Sequence, residues 1–468
     1  MALTRKQLLA GAGATTLAAA GLYELAERVG RAPARTAAVP RGPEQHLLQG
    51  LRVVVDNDVD VIVPPLHHEL ATFRLAAGGR ADLLDARHEL ESALSQLEAE
   101  FEPTPAGLGV TVGWGLPYFR QHVPGPARTH LPVDLRASHE TGQRVPVLLD
   151  AIRFPSDPHD VVLEQHDAAV LLRSDVPANL RAAYEHLVTG LASWRPTTIR
   201  RGFVGGGFDG GRALPRTIAE AAGVPGAELI PDRAELFLGF TSTQRAALGP
   251  GQIANIETLG YSDGGPGGYF RSGTVMSVSH IFEDLESWYL TFDHGQRAAT
   301  VFGPDRNVPP GTLTVPEGPA DVGTAAGIMG DARRTSRVGH SPAIQTTSRL
   351  QHDVTGPDGI RYPKGTAVPQ RADFNTLDNP FSWSADPQRD RMQPEAAAGL
   401  HFVVFNPTSD DFHRNRLAMD GILPGGVRTP LAPRDPGQGI NSVLTTTHRQ
   451  AFLVPPRAHR ALPLVELL

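Results

Sequence analysis

The sequence predicts an α+β protein made of two similar halves. Short runs rich in β-branched residues alternate with segments whose apolar residues recur at helical spacing. The first half follows the order strand, helix, strand, strand, helix, and the second half repeats this logic. At 468 residues, with 40% hydrophobic and 20% charged residues, the chain is long enough for two or three domains with a sizeable core.

The elements of the first half are indicated by two periodicities. Alternating or β-branched runs predict strands, and leucines at helical spacing together with a proline at a helix start predict helices. The predicted strands cover residues 51–55, 59–63, 70–75, 107–115 and 167–175, and the predicted helices cover 81–100 and 177–187. Strand, helix, strand, then strand, helix is the order of a ferredoxin-like βαββαβ unit.

The second half shows the same kinds of element. Strands are expected at residues 236–240, 273–281 and 400–405, and helices are expected to begin near residue 284 and to run over 410–419. The 49 glycines and 41 prolines indicate long, irregular connections between these elements. Spacing by itself therefore supports an α+β chain with two similar halves.

The composition excludes several classes of function. A formal net charge of −7 provides no basic face, which argues against nucleic acid or an anionic membrane surface as the main partner. The sequence has no cysteine, so disulfides, thiolate nucleophiles and cysteine-held metals are excluded. Any metal must be held by His, Asp, Glu, Tyr or Met.

The N-terminus predicts export. Residues 4–9, Thr-Arg-Lys-Gln-Leu-Leu, precede an apolar run over 8–23 that is too short for a stable membrane span. The pattern resembles a twin-arginine signal with lysine at the second position, although an ordinary secretory signal or an amphipathic helix is an alternative. We expect an export signal at 1–29, a linker at 30–45, contact with a membrane only during export, and a location outside the cell or in its envelope.

Two landmarks carry a resemblance to a known family. Gly239-Phe240-Thr241-Ser242-Thr243 follows the strand-like run 234–238, and Arg337-Val338-Gly339-His340 comes about a hundred residues later. This pair resembles the core of the dye-decolourising peroxidases, a haem family. The resemblance implies two ferredoxin-like domains whose antiparallel four-stranded sheets pack together, as in dimeric α+β barrels. The domains would cover 46–200 and 233–468, joined by a connector at 201–232, with haem b in the second.

The resemblance also implies roles for individual residues. His340 would be the proximal ligand of the iron, and Gly239 and Phe240 would contact the cofactor. Arg371 would face the distal side and stabilise negative charge on the peroxide oxygen. Its spacing from His340 is longer than is usual in the family, so Arg349 and Arg361 are rivals, and pairing of Arg371 with Asp373 or Asp378 is an alternative.

Ser242 departs from the family, whose first landmark reads Gly-Phe-x-Asp-Gly. A carboxylate transfers the peroxide proton well, whereas a serine hydroxyl is a poor general base without a partner. Asp263 and Asp209 could substitute for it but are typical of turns. The sequence therefore predicts a weakened peroxidase that uses hydrogen peroxide and a small aromatic or dye-like electron donor. A non-catalytic haem carrier or sensor and a haem-free protein of the same fold are the alternatives, and a homo-oligomer is left open.

The other polar clusters in the sequence give weaker indications of a functional site. His67, His68 and Glu69 invite a metal interpretation, but adjacent residues of a strand point to opposite faces. His159, Glu164 and His166 are scattered through an acidic stretch. The glycine run at 205–211 neither follows a strand nor opens a helix as a phosphate-binding loop must. These segments are interpreted as structural.

Overall fold

The computed structural model describes residues 41–205, 213–240, 253, 255–316, 323–377 and 396–468. The predicted export signal at 1–29 and most of the predicted linker lie outside these residues, so export stays a prediction. Within the described part, no helix combines the length and the apolar character needed to cross a membrane.

The first half contains a complete ferredoxin-like unit. A hairpin of β1 and β2 precedes a sheet with the antiparallel order β7–β3–β6–β4. Apolar residues at helical spacing bury one face of the long first helix against this sheet. The elements are β1 Arg52–Asp56, β2 Val59–Val63, β3 His67–Leu75, α1 Arg80–Glu100, β4 Gly109–Trp114, α2 Leu116–Gln121, α3 Pro124–His130, α4 Leu135–Thr141, β5 Val162–Leu163, β6 Ala168–Ser174, α5 Pro177–Tyr184, β7 Trp194–Phe203 and α6 Leu214–Ala221, with a π-helical turn at Glu185–Thr189.

The second half repeats the strand order with longer connections. Strand β8 lies between β16 and β13, and the short strands β11 and β12 pair with the other edge of β13. The elements are β8 Thr274–Glu283, α7 His294–Phe302, α8 Ala325–Thr335, α9 His340–Ser348, β9 Val354–Thr355, β10 Arg361–Tyr362, β11 Gln370–Arg371, β12 Phe374–Thr376, β13 Gly399–Asn406, α10 Ser409–Met419, β14 Ile422–Leu423, β15 Val427–Arg428 and β16 Leu444–Val454, with a π-helical turn at Ser287–Thr291.

The two sheets join at both edges. Trp114 of β4 pairs with Leu453 of β16, and Phe203 of β7 pairs with Asn375 of β12. The eight strands that form this ring therefore enclose a common interior filled by buried apolar side chains of both halves, among them Leu70, Leu171, Met276, Val278, Phe374, Val403, Phe405 and Phe452. The predicted α+β fold with two ferredoxin-like units is confirmed.

One predicted strand is wrong. Residues 234–240, expected as a strand from their apolar run, form turns. The backbone has a φ of +82° at Gly239, which lies in the left-handed region and ends an extended run. The backbone groups of this loop are bound by side chains from elsewhere in the chain, since Asn375 bonds to Glu235 and Phe237 and Trp288 donates to the carbonyl of Leu238. Partners remote in sequence therefore override the local strand propensity.

Several histidines are buried without charge. His280 and His401 lie in the closed ring of strands with their ring centroids 5.2 Å apart, and His46 contacts Phe405 at 5.2 Å. Burial lowers the pKa of His46 to about 3 and holds the pKa values of His280 and His401 well below the usual range. These imidazoles are therefore neutral at physiological pH.

We expect the free energy of unfolding to fall as the pH is lowered from 6.5 towards 4. In this window the unfolded chain binds protons at histidines that stay neutral in the folded protein, so stability rises with pH. The histidines concerned include His46, His67, His340 and His413, whose pKa values are lowered to about 3 or 4. Urea unfolding at several pH values measures the slope.

His46→Phe should flatten this slope, because it removes one buried imidazole whose ring nitrogens lack hydrogen-bond partners within the described part of the chain. The exposed His88 provides a control, and His88→Phe should leave the slope unchanged. A slope that is the same in wild type and His46→Phe would contradict the assignment.

Candidate cofactor site

A cavity lies between the outer face of the second-half sheet and the helices that cover it. The empty space, counted together with its mouth to solvent, is about 1280 Å³. Alternate residues of β8 and β13 form one wall, and α9 and α10 form the other. Most of the wall is apolar, contributed by Leu236, Leu238, Phe240, Ile281, Val301, Ile344, Pro369, Leu400, Phe402, Val404, Phe412, Met419, Ile440 and Leu444.

His340 is the first residue of helix α9 and lines the cavity. The preceding Gly339 has a φ of +90°, and a Cβ atom there would lie only 2.6 Å from the backbone nitrogen of Gly303. Only glycine therefore allows the chain to pass this close to the end of α7 before the helix begins. The close approach fixes where the helix starts and places His340 at the cavity wall.

The imidazole of His340 is neutral. Burial, reinforced by the nearby guanidinium groups of Arg371 and Arg416, lowers its pKa to about 3. A neutral imidazole offers a nitrogen lone pair, which is the form of histidine that binds metals. The charge state of His340 thus suits a metal ligand at neutral pH.

Arg371 lies in the edge strand β11, opposite Val404 of β13, and lines the same cavity. Its guanidinium forms a bidentate ion pair with Asp373, with Nε–Oδ1 and Nη2–Oδ2 distances of 2.9 and 2.5 Å. The pairing with Asp373 and the position at the cavity, predicted as alternatives, are therefore both present. Within the described part of the chain the guanidinium makes no other hydrogen bond, so its further N–H groups suit a ligand.

The two rival arginines lie elsewhere. Arg349 is buried and donates to the carbonyl of Gly365 at 3.2 Å, and it is not part of the cavity wall. Arg361 belongs to the small β9–β10 hairpin, where it is exposed and paired with Asp353. Of the three arginines predicted as distal candidates, Arg371 is the one that the fold brings to His340.

The Gly239–Phe240 landmark borders the cavity. The Phe240 ring lines the wall and contacts the Phe302 ring edge-on at 5.1 Å. At Gly239 a Cβ atom would approach the Tyr289 hydroxyl to 2.8 Å, so this turn requires glycine. Ser242, Asp209 and Asp378 lie outside the described residues, and their predicted roles stay predictions. Asp263 caps a surface turn by accepting hydrogen bonds from the backbone N–H groups of Val133 and Gly265.

Two further arginines lie at the cavity wall. Arg449 forms a bidentate pair with Asp157, with N–O distances of 2.5 and 3.0 Å, and Arg416 donates to the same carboxylate at 3.5 Å. The Nε of Arg416 is buried and has no hydrogen-bond partner among the residues that the structure describes. A buried cationic donor without a partner is costly, so this position suits the carboxylate of a ligand.

The other predicted polar clusters are structural. His67 and His68 are both buried in β3, and the ring of His68 stacks on Phe374 at 5.0 Å. Glu164 forms a buried ion pair with Arg200 at 2.5 Å and contacts His166 at 3.2 Å. No group of three or more His, Asp or Glu side chains in the described ranges has the geometry of a metal site.

Sequence reasoning missed Glu283, Arg416 and Arg449. A weak signal existed for Glu283, because Ser279, Ile281 and Glu283 alternate along β8 and all three line the cavity. Arg416 and Arg449 lie among polar neighbours in α10 and β16, and nothing local distinguishes them from surface arginines. Their burial depends on Asp157, which is remote in the sequence.

We expect Asn375→Leu to destabilise the loop at residues 234–240, which borders the cavity. The Asn375 side chain donates to the carbonyls of Phe203 and Glu235 at 3.1 and 2.9 Å and accepts from the N–H of Phe237 at 3.1 Å. Leucine would remove these three hydrogen bonds and leave the N–H of Phe237 without its partner, whereas the carbonyl of Glu235 keeps its bond from the N–H of Gly205 at 3.1 Å. The expected loss is about 2 kcal/mol in the free energy of unfolding.

Denaturant unfolding measures this loss. Asn307 is exposed, and Asn307→Leu should change stability by less than about 0.5 kcal/mol. An equally small effect of Asn375→Leu would show that the amide does not hold the loop.

Solved structures with a similar chain path include several dye-decolourising peroxidases, the family that the two landmarks resemble. A DyP-type peroxidase from Cellulomonas bogoriensis is 19% identical, with 90% of this chain and 99% of that chain covered and a TM-score of 0.47. DyPB from Rhodococcus jostii RHA1 is 12% identical, with 86% and 96% covered and a TM-score of 0.48. A variant of the latter protein in complex with haem is 12% identical, with 85% and 96% covered and a TM-score of 0.45.

A search of curated proteins returns no match. One family model matches the sequence over residues 65–456, from the strand that opens the first ferredoxin-like unit to the end of the barrel. The chain therefore belongs to the family of unknown function DUF7405.

Proposed function

We propose that the cavity binds haem b and that the protein is a hydrogen-peroxide-dependent oxidoreductase of the dye-decolourising type. The observation that carries this proposal is that the neutral imidazole of His340 and the charged guanidinium of Arg371 line one largely apolar cavity. A single imidazole ligand in a largely apolar pocket is the protein contribution that a haem requires.

The side chains of the cavity fit such a cofactor. When bound, haem supplies an iron that can react with peroxide. His340 would bind the iron through its neutral ring, and the unpartnered Nε of Arg416 would bind a carboxylate of the cofactor. The apolar walls would exclude water, which strengthens every electrostatic interaction inside the cavity.

Arg371 would stabilise negative charge on the bound peroxide. Its guanidinium is largely but not fully buried, and Asp373 raises its pKa against the cost of burial, so it is permanently charged. Its attachment to Asp373 also holds the group in place before the reaction, and preorganised charge of this kind lowers the barrier most effectively. The electron donor is proposed to be a small aromatic or dye-like molecule, and export through the twin-arginine-like signal is proposed from the sequence.

His340→Ala should abolish stoichiometric haem binding. We expect the wild-type protein, expressed with sufficient haem, to show a Soret band, and the variant to lose it or shift its position because the iron ligand is removed. His352 is exposed and lies in the same region of the sequence, so His352→Ala serves as the control and should keep the wild-type spectrum. A Soret band of unchanged position and intensity in His340→Ala would refute the ligand assignment.

Ser242→Asp should raise peroxidase turnover. A carboxylate in this position restores the acid–base group that the family motif provides, a contribution worth about 10²–10⁴-fold. Oxidation of an aromatic donor by the haem-loaded wild type and the variant measures the effect. Robust wild-type turnover that Ser242→Asp does not raise would contradict weakened activity, and a haem spectrum with no turnover in either protein would favour the carrier or sensor alternative.

A further inference from the structure

We propose that Glu283 accepts the proton of hydrogen peroxide in this protein, the task that the aspartate performs where the family motif is intact. The inference rests on the proposed function, because it assumes that the cavity holds haem and admits peroxide. It concerns a residue of a different element, the end of strand β8, and not a residue of the Gly239–Phe240 landmark.

The pleat of β8 directs Glu283 to the cavity. Ser279, Ile281 and Glu283 alternate on the cavity face of the strand, whereas Met276 and Val278 belong to the apolar interior of the barrel. The backbone N–H of Glu283 donates to the carbonyl of Ala398 at 3.0 Å, which holds the end of the strand against the neighbouring chain. The direction of the side chain is therefore set by the sheet.

The surroundings of Glu283 are typical of a carboxyl group in a functional site. Only 3% of the residue is exposed, and its Oε2 atom has no hydrogen-bond partner among the described residues. Its ladder partner on β16 is Leu444, which lines the same cavity. An unpaired buried carboxyl is costly for stability, and such groups concentrate at functional sites.

Burial and a nearby negative charge favour the protonated form of Glu283 at neutral pH. Burial, reinforced by the negative charge of Asp373, raises the pKa of Glu283 to about 8. Tyr289, on the π-helical turn that follows β8, is the other titratable group coupled to it, and its phenol donates to the carbonyl of Phe237 at 2.6 Å. A pKa near the working pH is favourable for a group that must accept and release a proton.

The other carboxyl groups of this region are less suitable. Asp373 is held in its bidentate pair with Arg371, and Asp157 is held by Arg449. The pKa of Glu235 is also raised to about 8, but its side chain is not part of the cavity wall. Of the acidic side chains in the described ranges, Glu283 is the one that lines the cavity.

The proposed step is a proton transfer. One O–H bond of hydrogen peroxide breaks, a new O–H bond forms on the carboxylate of Glu283, and the bonding electron pair stays on the hydroperoxide anion. Arg371, at the same cavity, stabilises this anion. The step requires the ionised carboxylate, so its rate should rise with pH and level off above about 8, following the pKa of Glu283.

The test compares haem-loaded wild type with Glu283→Gln. Loss of the base should slow the second-order reaction with peroxide by about 100-fold or more and remove the rise of the rate with pH. The matched control is Glu286→Gln, a change at an exposed glutamate three positions along the chain, which should react like wild type.

Infrared spectroscopy of the same proteins without peroxide provides a readout that does not depend on activity. In wild type we expect protonated carboxyl C=O absorption that disappears with a midpoint near pH 8, and Glu283→Gln should lose the part contributed by Glu283 while Glu286→Gln keeps all of it. Because Glu235 should contribute a similar band, Glu235→Gln serves to separate the two signals. If no band is lost in Glu283→Gln, the protonated state assigned to this residue is wrong.

The outcomes separate the two proposals. Absence of a Soret band in wild type overturns the proposed function, whereas a Soret band together with a wild-type peroxide rate in Glu283→Gln overturns the role of Glu283 alone. If Glu283→Gln does not fold, Glu283→Asp takes its place, because it keeps a carboxyl but withdraws it by one methylene. That variant should react more slowly than wild type, since small displacements of catalytic groups are costly, and an unchanged rate across the pH range would reject the proposal.

Discussion

The pairing of β8 on both of its edges is the constraint from which the rest of the second half follows. The strand is hydrogen-bonded to β13 over the length of β13 and to β16 from Thr274 to Glu283, with one irregularity near Thr446. A strand held on both sides cannot rotate, so its two faces are permanently different. One face closes the dry interior of the barrel with Met276 and Val278, and the other forms the floor of the cavity.

The helical wall of the cavity depends on close approach of the backbone. Gly339 passes the end of α7 at a distance that no side chain permits, and a Cβ atom at Gly439 would lie only 3.2 Å from the backbone of His340. These glycines place the start of α9, and with it the imidazole of His340, against the cavity floor that the sheet forms. The candidate site is therefore a product of two rigid layers, and rigid support is what a preorganised site requires.

Electrostatics then distinguishes the groups within the cavity. Arg371 and Arg449 each have a carboxylate partner, which offsets the cost of burying a guanidinium. His340 and Glu283 have no charge partner of opposite sign that outweighs burial, and each is neutral near pH 7. The cavity thus combines fixed positive charge with two neutral groups whose protonation states suit metal binding and proton transfer.

The sequence by itself determined much of the order of strands and helices, because local periodicity reports which face of each element is apolar, but it did not indicate β7 or β16. Short motifs in the sequence also located His340 and Phe240, because each follows a glycine that a turn requires locally. The tertiary structure decided which of Arg349, Arg361 and Arg371 reaches the cavity, and it converted the apolar run at 234–240 from an expected strand into a loop. It alone revealed Glu283, Arg416 and Arg449, because burial, hydrogen-bond partners and pKa depend on residues that are distant along the chain and meet only when the barrel closes.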